Sequence, residues 1–472
     1  MMFDRFGCEI EIGGKDENAA LQAWDGLCHA FLTHGSATPT HLAALLENDP
    51  DNILGLSCKG FFMILLGRPE LLDEADAALR KIDRIAARRG SFARRETDYA
   101  NALRLARRGQ WARAADLLES VNEYAVHDAM AFKIVQGLRF MLGDRFGMRA
   151  SSLRAVERFG SAHVASGYIF GCHAFALEET GDFRAAERFG KQAVMMAPDD
   201  AWGLHAVSHV YDMTAQAEKG IEWLEARTHQ WAHCNNFAYH FWWHLALHYL
   251  EVGDVAKVLA LYDNDIRRDH TDDYRDISNG TALLARLEGL GVNVGNRWDE
   301  LIELSERRTD DNCVVFADLH YLQALGRGGK HEAVDKLIAT IRKNAETGVR
   351  DMDHVNRFAG VFAAEGLKAF YQGDYGTAFD QLAMARPAMQ QVGGSHAQRD
   401  VFERTTIEAG LLAGRYREAK ALIEDRTWRR GAEDNYARDR MADALTKAEA
   451  AATDAAHTDV TTSHPPLTLV SA

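Results

Sequence analysis

Histidine is crowded into one stretch of this chain. Seven of its 20 histidines fall between residues 201 and 250: His205, His209, His229, His233, His240, His244 and His248. Their spacing is helical. His205 and His209 stand four residues apart, as do His229 and His233, and the row His240, His244, His248 keeps the interval. On an α-helix such residues share a face. Imidazoles gathered on facing helices can move protons near neutral pH, accept and donate hydrogen bonds, or ligate a metal. We therefore take His205, His209, His240 and His244 as candidate proton-transfer groups or ligands, with Asp212 or Asp263 to orient them. Two pairs at this interval, with Asp212 as carboxylate, could hold an ion. No HExxH occurs, however, and the spacing by itself assigns no metal. The plain alternative is packing. Phe237-Ala-Tyr-His240-Phe-Trp-Trp243-His244 is densely aromatic, and histidines in such company often only fill space and hydrogen-bond a neighbour. His229, His233 and His248 are read that way.

Three further places carry polar chemistry. Glu178 stands beside Glu179. Asp318 and His320 lie in Val314-Val-Phe-Ala-Asp318-Leu-His320-Tyr. In Val392-Gly-Gly-Ser395-His-Ala-Gln398-Arg399-Asp400, Ser395 and Gln398 form a capping-box signature. The free amides of such a helix start could hold an anion, with Arg399 completing the site.

A recurring local pattern supplies the elements that must position these groups. It reads Gly, a polar residue, an aromatic or apolar residue, then Ala and an apolar helix. Copies begin at Gly109, Gly181, Gly253, Gly329, Gly373 and Gly414, at intervals of 72, 72, 76, 44 and 41 residues. The longer intervals are near twice 34–38, so each should hide a copy. Gly143-Asp144 fills the first gap and Ala215 to Gly220 the second. A period near 34 with helical flanks resembles the tetratricopeptide repeat, a helix–turn–helix unit. Single hairpins cannot bury their apolar faces, so the copies must stack. The expected fold is all-α, an α-solenoid of stacked hairpins. Its expected divisions are a degenerate helical region over 1–90, the repeat solenoid over 91–450, and a disordered tail over 451–472, rich in Thr and Ala. Helices are also expected over 15–34 and 70–90. In tetratricopeptide repeats, positions 2, 5, 9 and 12 of the first helix line the concave groove. By that resemblance Trp202, His205, His209 and Asp212 face one groove, joined by His240 and Glu178.

Composition narrows the function classes. The formal charge is −15, which disfavours phosphate backbones, and no basic stripe offsets it, so no nucleic acid is expected. The longest apolar run, Gly60 to Gly67, is far too short to span a membrane. Only 7 prolines interrupt the chain, in keeping with long helices. The six cysteines are scattered without a CxxC pair. With the acidic N-terminus, this leads to the expectation of a reducing cytoplasm. There is no GxGxxG before a strand, no P-loop and no GxSxG.

Several motifs taken in order resemble the tetratricopeptide repeat protein 38 family. They are Asp200-Ala-Trp202-Gly-Leu-His205-Ala-Val-Ser-His209-Val-Tyr-Asp212, His240-Phe-Trp-Trp243-His244, Leu261-Tyr-Asp263, Gly291 to Trp298, Phe316-Ala-Asp318-Leu-His320 and Gly393-Gly-Ser395-His396-Ala-Gln398-Arg399-Asp400. The resemblance spans roughly residues 10–430. It implies a tetratricopeptide-like solenoid and no settled reaction. The matching blocks are polar, whereas a pure packing scaffold would match at Ala, Gly and Leu. Two readings follow. In the first, a central pocket lined by His, Asp and aromatic residues binds a small polar ligand, with turnover undecided. Its ligand-binding residues would be Trp202, Trp243, Glu178, Asp263, Asp318, His320 and Arg399. In the second, the concave groove holds a peptide or protein and has no chemistry of its own. The sequence names no cofactor and leaves association between copies open.

Overall fold

The computed structural model describes residues 2–462. It is built of helices in antiparallel pairs. Among the described residues the only sheet is a short hairpin, in which Met2–Phe3 pairs antiparallel with Glu9–Ile10. The all-α helical-repeat solenoid expected from the sequence is the fold observed. The N-terminal region contributes helices Glu17–Leu32, Thr38–Asn48, Ile53–Leu65 and Pro69–Arg89. Repeating pairs follow, among them Ser166–Glu179 with Phe183–Met196, Ala201–Met213 with Ala217–Glu225, and Phe237–Glu251 with Val255–Leu261. The series continues through Tyr274–Gly289 with Arg297–Glu306, Val315–Arg327 with His331–Thr347, and His396–Leu412 with Tyr416–Arg430.

The Gly-Asp signature has a local cause. Gly181 takes a positive φ of 85° after the first helix of its pair, which L side chains resist. Asp182 then caps the second helix, its carboxylate accepting from Ala185 N–H. Asp144, Asp254 and Asp374 cap in the same way. In the degenerate copy the turn falls on Ala215, which adopts φ 52° without being glycine. Gly291, at φ 77°, makes the turn hidden between Gly253 and Gly329.

The solenoid winds back on itself. Hydrogen bonds join residues 184 to 247 apart in sequence, including Asn435 to Glu251 and Gln390 to Gly143. Arg68 pairs with Asp272, and Asp351 N–H donates to Gly109 O. As a result, the first helix of each central pair is enclosed. Every residue of Ser166–Glu179 is buried, and so are nearly all of Ala201–Met213 and Val315–Arg327. The faces that the repeat resemblance places along an open groove therefore lie in the interior. The last helix runs Asn435–Thr462. Its backbone is helical through residue 462, within the stretch expected to be a tail. Residues 463–472 of that tail lie outside the described residues.

Candidate functional site

Two neighbouring inner helices carry the histidine cluster. Asp200 caps Ala201–Met213, accepting from Trp202 and Gly203 N–H. One turn apart on that helix stand His205 and His209. His240 and His244 stand one turn apart on Phe237–Glu251. Gly203 lets the first of these helices pack closely on Ser166–Glu179 and Phe183–Met196: a methyl there would sit 3.2 Å from Gly171 Cα and 2.8 Å from Ala193 Cβ. Likewise Gly220 leaves room for the ring of His248.

The four imidazoles converge through Nε2. His205 Nε2 lies 3.0 Å from His240 Nε2, 3.0 Å from His244 Nε2 and 2.9 Å from His209 Nε2. His240 and His244 Nε2 are also 3.0 Å apart. All four side chains are buried. Phe175 stacks on His205 with ring centroids 5.5 Å apart, and Trp243 stacks on His240 at 5.2 Å. Trp202, half-buried, stacks on Phe237 and lies beneath the Lys133 ammonium.

The outward nitrogens differ. His240 Nδ1 meets Asn279 Oδ1 at 3.2 Å, and Asn279 Oδ1 in turn accepts from Gln398 at 3.4 Å. His209 Nδ1 faces Glu178 Oε2 at 3.5 Å, and both groups are fully buried. Neither Glu178 oxygen has a hydrogen-bond partner within the chain, nor do Nδ1 of His205 and His244. Burial, reinforced by neighbouring imidazoles, holds all four histidines below their ordinary pKa, His209 at about 4 and His240 at about 3. The rings are neutral at pH 7. Burial, with Glu179 and Asp212 nearby, pushes the Glu178 carboxyl well above the usual range.

The other sequence candidates divide. Asp212 turns from the imidazoles to Arg430, whose Nη2 donates to its Oδ1 at 3.2 Å. Asp263 is partly exposed and pairs with Arg297 at 2.6 Å; it is not part of the histidine cluster. Asp318 is buried, but it accepts from Asn312 at 2.7 Å in a separate polar knot with Asn356. His320 sits between Phe316 and Phe402, with Nδ1 on Phe316 O at 2.7 Å and Nε2 unpartnered. Burial lowers its pKa to about 3. His248 hydrogen-bonds Ser208 at 3.1 Å and His233 faces Thr33 O at 3.2 Å, ordinary packing roles.

The capping box at Ser395 forms as its sequence indicates. The anion at that helix start is the chain's own Glu179. The backbone N–H of His396 donates to its Oε1 at 2.7 Å, and Arg399 Nη2 donates to its Oε2 at 3.0 Å. Burial opposes the charge, but His396 and Arg399 prevail and hold Glu179 at about 2. Arg399 thus ties the C-terminal repeats to a central one. Asn279, His396 and Arg430 were missed from the sequence. For Asn279 a signal existed in the polar run Asp276 to Thr281 within an otherwise apolar helix.

No protein-family model matches the chain. No helix among the described residues is long and apolar enough to cross a membrane. Among solved structures, the chain is similar to the crystal structure of the APC/C hetero-tetramer Cut9-Hcn1, with 10% identity, a TM-score of 0.38, and coverage of 85% of this chain and 78% of that one. It is similar also to the crystal structure of yeast Tom70, with 13% identity, a TM-score of 0.33, and coverage of 93% and 97%. At these scores the likeness carries no functional argument.

Proposed function

We propose that the enclosed interior of this helical-repeat scaffold binds a small polar guest, an ion or a molecule of few heavy atoms. One observation carries the reading. Of twenty buried side-chain polar atoms among the described residues that lack a hydrogen-bond partner within the chain, fourteen lie on five inner helices, from Ser166–Glu179 to Val315–Arg327. Each such atom costs about 1–3 kcal/mol if left unmade, so their concentration on the inner helices calls for something that meets them. His205, His209, His240 and His244 offer neutral imidazoles to the guest.

Native mass spectrometry of the full chain tests the reading. The expected result is a mass excess that survives gentle ionisation, vanishes on denaturation and is lost in His205→Gln. A native mass equal to that of the chain would sink it. The interior would then be satisfied by water and packing, leaving a repeat scaffold that acts on partners without chemistry of its own.

A further inference from the structure

The guest can be named by class, on the footing of the reading above. His205, His240 and His244 form a triangle whose three Nε2–Nε2 separations are each 3.0 Å. A neutral imidazole Nε2 either donates or accepts, never both. Around a triangle, donors and acceptors cannot alternate, so at most two of the three contacts can be N–H···N hydrogen bonds. The third must set two lone pairs, or two N–H groups, against each other. Protonating a ring does not help, because an imidazolium offers only donors. His209 adds a fourth Nε2 at 2.9 Å from His205. One ligand atom from each of the four residues lies within 4.8 Å of the others.

A cation at the centre resolves the conflict. All four lone pairs then point inward, and each Nδ1 carries its proton outward. At His240 and His209 the surroundings match that tautomer. Nδ1–H of His240 would donate to Asn279 Oδ1, and Nδ1–H of His209 would point at Glu178 Oε2. A carboxylate or amide behind a ligating histidine is the usual support of a metal site. Metal–imidazole bonds of about 2.0–2.1 Å place tetrahedral ligand nitrogens about 3.3–3.4 Å apart, so the four contacts at 2.9–3.0 Å need open by only a few tenths of an ångström; His209 lies within 4.8 Å of His240 and His244. Four nitrogen donors suit zinc, copper, iron, cobalt or nickel, and not the oxygen-seeking magnesium or calcium. The repeat explains how the site is built: two neighbouring hairpins each present one turn-spaced pair on their first helix.

We propose that His205, His209, His240 and His244 bind one divalent first-row transition-metal ion, each through Nε2, with Glu178 and Asn279 as the residues that orient His209 and His240.

The experiment uses the full chain without a histidine tag, purified without chelator. Elemental analysis is expected to find about one transition-metal ion per chain. Chelator-stripped protein titrated with cobalt(II) should regain one equivalent, with visible d–d absorption, and His205→Gln and His244→Gln should weaken that binding at least about tenfold. Should those variants fail to fold, X-ray absorption of the zinc-loaded wild type decides the point. A first shell of nitrogen with imidazole scattering supports the site, and a shell of sulfur or of oxygen alone overturns it. No stoichiometric metal, either as purified or after titration with zinc, cobalt, nickel, iron and copper, also overturns it. The two readings fail separately: a non-metal guest in native mass spectrometry sinks the metal and keeps the binding interior, while an empty interior sinks both.

Discussion

His209 Nδ1 and Glu178 Oε2 face each other at 3.5 Å, both fully buried, and neither has a hydrogen-bond partner. The gap is longer than a good hydrogen bond, and the carboxyl looks directly onto the imidazole cluster. Its role should therefore appear in binding more than in folding. Glu178→Gln keeps shape and replaces a carboxyl whose ionisation burial disfavours. Stability at pH 7 should stay within ~1 kcal/mol of wild type or rise. Metal affinity, measured by competition with a chromophoric chelator, should fall about 10- to 100-fold. Equal affinity in both proteins would remove Glu178 from the site.

Glu179 plays the opposite part, since its charge is paired. Arg399→Ala should leave a buried carboxylate facing only His396 and cost about 3–5 kcal/mol in urea denaturation. The double variant Glu179→Gln/Arg399→Ala should recover a large share of that loss, because the stranded charge is gone. The folded pKa of Glu179 is depressed to about 2 from 4.5. Its stabilising contribution is therefore complete above pH 4.5 and lost as pH falls from there toward 2.

Acid sensitivity should also carry the mark of His320. Burial lowers its pKa from 6.5 to about 3. As pH falls below 6.5, the unfolded chain takes up the proton while the folded ring does not, so stability is lost from 6.5 downward. His320→Gln should be less stable at pH 7.5, because the bond to Phe316 O is disturbed. That deficit should shrink by about 1–2 kcal/mol at pH 5. Asp318 and Arg286 titrate alike in both proteins and cancel in the comparison. A constant difference across this pH range would show that His320 does not stay neutral in the fold.

Helix approach at the site can be probed at Gly171. A methyl there would lie 2.0 Å from Asp200 Oδ2 and 2.8 Å from Gly203 N. Gly171→Ala should break the cap of Ala201–Met213 and destabilise the chain by about 1–3 kcal/mol. It should also weaken cobalt binding, although residue 171 touches no histidine of the cluster. A destabilised variant with unchanged binding would mean that the histidines do not depend on this packing.

The sequence by itself determined the helices, their turns and the pairing of histidines within each helix. These are local properties. A 3.6-residue period puts His205 over His209 and His240 over His244, and Gly181-Asp182 writes its own turn and cap. Tertiary structure decided which groups meet. The rotation and spacing of two packed helices, which no periodicity encodes, bring the four Nε2 atoms together. The return of the chain on itself some 200 residues later gave Asp212 to Arg430 and Glu179 to Arg399 and His396. Asp263 meets Arg297 of the neighbouring repeat, apart from the histidine cluster. The return also turned an expected groove into an interior, because covering the apolar inner faces gains more than leaving them open to water.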